Sequence, residues 1–191
     1  MNINSVNNLV SFGKQPVMKC TVKDVETKKV MPATLYKMDP SKSSDLFEVE
    51  KSKNTRDITF HFKRDNALGL NFRNYYLLKN DKTQEVVGCA ETENHYSPRN
   101  NGAGGFVMLV GELSENKKYL NGKEPILTFL MNEARKSGQN AIVTCSDENV
   151  APNMKQLKPV QLNTGEYYIP ASRFDNALTH GEKRYNISYE V

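Results

Sequence analysis

The chain has 191 residues, 38% of them hydrophobic and 25% charged, which is enough apolar material for one substantial core and too little length for two full domains. Its 26 Lys and Arg against 22 Asp and Glu leave a net charge of +4 without a basic block, a surplus that suits an anionic small ligand as well as a nucleic acid. The longest apolar runs, such as Phe106 to Val110, fall far short of the roughly 18 residues of a membrane span, so the expectation is a soluble, cytoplasmic protein with no membrane partner.

Residues 1–16 are rich in Asn and Ser, with only Leu9, Val10 and Phe12 as an apolar patch, and read as a disordered leader to a single domain over residues 17–191. Val17 to Val25 and Ala33 to Met38 read as two strands joined by the turn Glu26-Thr27-Lys28-Lys29. After the break at Asp39-Pro40-Ser41, Asp45 and Glu48 have the spacing of an acidic cap for a helix starting near Ser44. From Thr55 to Leu68 the pattern is ambiguous: Ile58, Phe60 and Phe62 alternate as in a strand, while Ile58 and Phe62 also share a helical face. This segment is expected to be helical.

Tyr75 to Leu78 and Glu85 to Thr92 form a hairpin across Asn80-Asp81-Lys82-Thr83. A Pro/Asn/Gly loop, Ser97 to Gly105, leads into the apolar run Phe106 to Val110, which is fit for a central strand. Pro125 opens the best-specified helix, with Ile126, Leu127, Leu130, Met131 and Ala134 at helical spacing and Gly138 as terminator. Ala141 to Cys145 follows as a buried strand, Pro152 to Lys158 as a short helix, and Val160 to Leu162 with Glu166 to Ile169 as a closing hairpin. A helix over Phe174 to Arg184 and an extended Ile187 to Val191 end the chain.

Cys20, Cys89 and Cys145 are odd in number, widely separated and set in apolar, strand-like contexts, the usage of buried thiols in a reducing compartment. There is no CxxC pair, and His61, His95 and His180 are scattered, so no metal site is expected.

Taken in order from Ala33, the strand, two helices, three strands, helix, strand, helix and final strand pair resemble the GNAT acyltransferase superfamily over about Ala33 to Pro170. The resemblance implies an α/β (α+β) fold with a mixed, mostly antiparallel central sheet flanked by helices. It implies acyl-CoA-dependent N-acyl transfer, with acetyl-CoA as donor and a small-molecule or peptide amine as acceptor.

In that superfamily the turn before the long helix carries Arg or Gln, two residues, Gly, one residue, then Gly or Ala. Its amides hold the coenzyme diphosphate, because unpaired N–H donors and the positive end of the helix dipole favour an anion. The corresponding stretch here is Tyr119 to Pro125, in which only Gly122 fits; Tyr119 replaces the Arg or Gln, Glu124 the second small residue, and Pro125 has no N–H. Asn121, Gly122 and Lys123 are the implied coenzyme contacts, with Lys117, Lys118 and Lys123 offsetting the repulsion from Glu124. The resemblance further implies that Val110 and Leu113 hold the pantetheine arm by exposed backbone groups, with Gly111 marking a bulge or close approach. Glu112 is the implied general base, Glu91 and His95 are further acid–base candidates, and Asn149 and Asn153 are the implied pantetheine partners. The helix carrying Asn153 has no tyrosine to protonate the departing thiolate, and Tyr167 and Tyr168 are expected to pack in the core.

The degenerate turn and the missing tyrosine fit equally a catalytically inactive GNAT-like binding or interaction module. Nucleic-acid binding is disfavoured: Arg56, Lys63, Arg64 and Arg73, near Phe72, Tyr75 and Tyr76, read as a solvated face around buried aromatics and not as a basic stripe.

Overall fold

The computed structural model describes residues 13–52, 55–97, 105–144, 157–163 and 165–190. Most of the leader, residues 1–12, lies outside the described residues, as do Cys145, Asn149, Asn153 and the short helix expected near them. The strands are β1 (Gln15–Asp24), β2 (Val30–Met38), β3 (Arg73–Asn80), β4 (Val86–Ser97), β5 (Gly105–Glu115), β6 (Tyr119–Leu120), β7 (Asn140–Thr144), β8 (Val160–Asn163), β9 (Glu166–Ile169) and β10 (Ser188–Tyr189). The helices are α1 (Ser43–Lys51), α2 (Arg56–Leu68), α3 (Lys123–Lys136) and α4 (Phe174–Tyr185).

Among the described residues the strands form one sheet in the order β10-β1-β2-β3-β4-β5-β7-β9-β8, with β6 also paired to β1. Every pairing is antiparallel except β5 with β7, which run parallel because α3 carries the chain back between them. This is the mixed, mostly antiparallel sheet that was expected. α3 and α4 pack on one face, where Leu127, Leu130, Phe174 and Leu178 meet Met18, Leu35, Leu78 and Val110. α1 and α2 cover the other, with Val49, Ile58 and Phe62 against Tyr75, Leu77 and Cys89.

The ambiguous segment is helical because burial follows the helical face: Ile58 and Phe62 are fully buried while Phe60 is 69% exposed. Phe62 meets the Tyr75 ring edge-on at 4.8 Å, a contact that only the i, i+4 face of α2 presents to the sheet. Gly69, left-handed at φ 63°, ends the helix. α3 begins two residues earlier than Pro125, which the first turn tolerates, and Gly138 at φ 65° ends it as anticipated. Asp45 and Glu48 do not cap α1. Asp45 is buried in the first turn and accepts the Asp39 N–H at 2.9 Å, while Glu48 pairs with Lys14 at 2.6 Å and with Lys79. Tyr167 is buried as expected, whereas Tyr168 is only half-buried.

Candidate functional site

The central strand carries an irregularity at Gly111. β4 and β5 are in register from Gly88↔Glu115 to Glu91↔Glu112 and again from Thr92↔Val110, which leaves Gly111 as the extra residue. On an unbroken strand Val110 and Leu113, three apart, face opposite sides. Here both pack against the α3/α4 core, because the inserted residue resets the alternation. Glu112 is thereby turned to the α1/α2 face beside its register partner Glu91. Among the described residues, the parallel pairing with β7 covers Val107–Val110 only, and Gly111–Glu115 runs beyond it.

On that α1/α2 face lies a nearly buried charged cluster. β4 alternation brings Glu91, Glu93 and His95 to one side, β3 adds Arg73 and Tyr75, and α2 adds His61 and Asp65. Glu91, 5% exposed, lies 3.0 Å from Arg73 Nε through one oxygen and 2.7 Å from His61 Nδ1 through the other. Arg73 also lies 3.2 Å from Glu93 and 3.3 Å from Asp65. Burial works against its charge, but the three carboxylates outweigh burial and raise its pKa. The Arg73 Nε contact with Glu91 is an ion pair whose geometry does not meet that of a hydrogen bond. Tyr75 donates its hydroxyl to Asp65 at 2.6 Å, and burial followed by that bond raises the phenol pKa. A cleft of about 420 Å³, lined among others by Asp65, Arg73, Asn71, Asn74 and Lys37, opens against the Arg73–Asp65 side. Arg73 therefore does not belong to a solvated basic face. Its side chain is 13% exposed, and Lys63 is engaged by Glu50 at 2.8 Å.

The start of α3 differs from expectation in its occupants. Glu124, expected at the mouth, is fully buried and accepts a hydrogen bond from Tyr185 of α4. Its place is taken by Glu115, the last residue of β5, whose carboxylate accepts the Lys123 N–H at 3.1 Å. The Glu124 N–H is used by the Asn121 carbonyl at 3.1 Å. Asn121 is left-handed at φ 54°. A Cβ on Gly122 would meet Val87 Cγ1 and the Val87 carbonyl oxygen at 3.0 Å, so this glycine lets α3 approach β4. Of the lysines expected to assist an anion, Lys123 is buried and Lys118 pairs with Glu85 at 2.7 Å. Tyr119 is also buried and donates to Glu85 at 2.9 Å.

Nothing along the sequence marks His61 and Arg73 as members of a site. His61 is thirty residues from Glu91 in the chain, and no local spacing signals that α2 lies over β4. His95, near Glu93 and 54% exposed, forms only the rim of the cluster. Among the described residues no helix is long and apolar enough to cross a membrane, and no group of three or more His, Cys, Asp or Glu is arranged to hold a metal.

No protein-family model matches this sequence, and no curated protein matches it. Solved structures do match. A variant of the AtaT toxin bound to the C-terminus of the antitoxin AtaR and acetyl-CoA aligns with a TM-score of 0.57 at 15% identity, over 77% of this chain and 98% of that one. A bacterial toxin aligns with a TM-score of 0.55 at 11% identity, over 87% of this chain and 97% of that one. The KacTA–DNA complex aligns with a TM-score of 0.51 at 15% identity, over 68% of this chain and 88% of that one. At these identities the likeness establishes the fold alone, a GNAT-like one with a mixed, mostly antiparallel sheet flanked by helices.

Proposed function

We propose that the protein is an acyl-CoA-dependent N-acyltransferase that uses acetyl-CoA as donor and an amine, on a small molecule or a peptide, as acceptor. The observation that carries this reading is the bulge at Gly111. It turns a carboxylate, Glu112, out of the α3/α4 core and sets it beside Glu91, at the point where, among the described residues, the parallel pairing with β7 ends. Backbone groups of Val110 and Leu113 would hold the pantetheine arm there, with Asn149 and Asn153 as further partners. Asn121, Gly122 and Lys123 would face the diphosphate once Glu115 leaves the Lys123 N–H.

The acidic surroundings, with Glu91, Glu93 and Asp65 gathered around Arg73, suit an acceptor that arrives as an ammonium ion. The cleft beside Asp65 and Arg73 offers room for it. Acetyl-CoA is a substrate in this reading, and proximity supplies most of the rate, up to ~7–11 kcal/mol of the barrier for well-oriented reactants. The buried Cys20 thiol suits a reducing cytoplasm. The antitoxin and DNA in the neighbouring structures support a protein or a nucleic acid as a partner in this reading.

A second reading, a GNAT scaffold that no longer binds coenzyme, is favoured by one observation: Glu115 and Val87 occupy the amide and the space that a diphosphate would use. Thermal melts with acetyl-CoA separate the two. Ligand at 100 times its Kd adds about 2.7 kcal/mol to a protein that binds it. A melting temperature unmoved by millimolar acetyl-CoA, together with no release of CoA thiol, leaves only the scaffold. Gly122→Asp is a poor probe of the turn, because its Cβ collides with Val87 whatever the ligand does.

A further inference from the structure

Two acid–base groups meet beside the bulge, and they are unequal. Glu91 is closed in: its side chain is 6% exposed, and its two oxygens are taken by Arg73 Nε at 3.0 Å and His61 Nδ1 at 2.7 Å. Both of its oxygens are engaged, so Glu91 is placed to hold its neighbours. His61 has the opposite setting. Its side chain remains 34% exposed, one ring nitrogen is anchored, and the edge of the ring packs against Phe60 with centroids 5.6 Å apart. An ionised carboxylate only accepts, so the hydrogen of the neutral imidazole sits on Nδ1 and the lone pair on Nε2. The pair also lies beside the irregular strand, since Glu91 Oε1 is 3.5 Å from where a Cβ would stand on Gly111.

We infer that His61 is the general base of the transfer and that Glu91 is its positioning residue, which holds the imidazole in the tautomer that leaves Nε2 free. This rests on the acyltransferase reading and replaces the expectation that Glu112 or Glu91 takes the proton. His61 Nε2 removes one proton from the acceptor ammonium, directly or through water. The nitrogen lone pair then forms the C–N bond at the thioester carbonyl. The C–S bond breaks with its electron pair on sulfur, and the second nitrogen proton goes to the thiolate or to solvent. The protonated His61 returns its proton to water, so the balance is ammonium plus acetyl-CoA to amide, CoA thiol and one proton. Other charged groups facing this point are Arg73 from β3, Glu93 and His95 from β4, Glu112 from β5, and Asp65 and Arg64 from α2. Glu50 of α1 is taken by Lys63.

The test measures CoA thiol release from acetyl-CoA by the full chain, with n-butylamine as acceptor and with water alone, across pH. His61→Ala is expected to lose about 100-fold or more of the wild-type rate. It should stay folded, with a melting temperature lowered by no more than the lost contact with buried Glu91 explains, keep its stabilisation by acetyl-CoA, and recover activity when free imidazole is added. Glu91→Gln is expected to slow the reaction and displace the ascending limb of the pH profile. Nitrogen-15 NMR of His61 should show a protonated Nδ1 in the wild type and a mixed tautomer in Glu91→Gln. If wild type releases thiol and His61→Ala matches it, or loses activity without imidazole rescue, the inference fails while the acyltransferase reading stands. If wild type neither binds acetyl-CoA nor releases thiol, that reading fails and takes this inference with it.

Discussion

Removing the charge of Glu115 tests whether the start of α3 is an anion site held shut by its own strand. In Glu115→Gln the side-chain oxygen still accepts from the Lys123 N–H, so the 3.1 Å hydrogen bond is kept and only the charge at the helix N-terminus is lost. That charge–dipole contact is worth about 0.3–1 kcal/mol, and 1 kcal/mol moves the melting temperature of a chain this size by roughly 2–4 °C, so the variant should melt about 1–4 °C lower. A diphosphate at the same amides responds in the opposite sense. A carboxylate about 5 Å from a phosphate charge repels it by roughly 1–3 kcal/mol for effective dielectric constants between that of water and about 20. Acetyl-CoA should therefore bind the variant about 5- to 150-fold more tightly. One series of thermal melts over acetyl-CoA concentration reads both effects. Lower stability with an unchanged Kd would mean that the diphosphate binds elsewhere; unchanged stability would mean that the Glu115 charge contributes nothing at the start of α3.

Three further outcomes follow from the packing and the ion pairs. A Cβ on Gly181 of α4 would stand 2.4 Å from Thr128 Oγ1 of α3, so Gly181→Ala should cost about 1–3 kcal/mol in urea unfolding, with much of that regained when Thr128→Ala is added. Tyr75→Phe removes the buried hydroxyl that donates to Asp65 and should cost about 1–3 kcal/mol, read as a lower denaturation midpoint with an unchanged slope. Burial opposes the charge on Glu48, but the bonds and charges of Lys14 and Lys79 win and hold its carboxyl below the ordinary 4.5. A folded pKa below the unfolded one contributes stability that is complete above the unfolded value and lost as pH falls through the folded one. Wild type should therefore lose more stability than Glu48→Gln between about pH 5 and 3 in acid titrations of unfolding free energy.

Much of the architecture was legible along the chain. The β-rich run Tyr75 to Leu78, the turn at Asn80 to Thr83 and the helical spacing from Ile126 to Ala134 are each local signals, and β3, β4 and α3 follow them. Gly111 inside an apolar strand signalled a bulge for the same local reason, since a residue without a side chain has nothing to pack at that point. The segment around Ile58 lay at the edge of legibility, because a pattern of apolar residues two apart satisfies a strand and, at every second member, a helix.

The site depended on what lies across from each residue, and that is where reading by spacing stopped. Gly122 looked like a place kept open for a ligand, yet the backbone of β4 fills it. Glu124 looked like the acid at the helix mouth, but the first turn of α3 points it at Tyr185, and the acid at the mouth comes from β5. Arg73 looked like part of a solvated basic face until β4 set two carboxylates and α2 a third around it. His61 had no role until α2 crossed β4 and laid its ring on Glu91. Local periodicity determines which side of an element is apolar, because the side chains of neighbouring turns or alternate residues share one surface. Only the docking of elements distant in sequence decides which polar groups that surface brings together, because burial makes each of them find a partner wherever the fold supplies one.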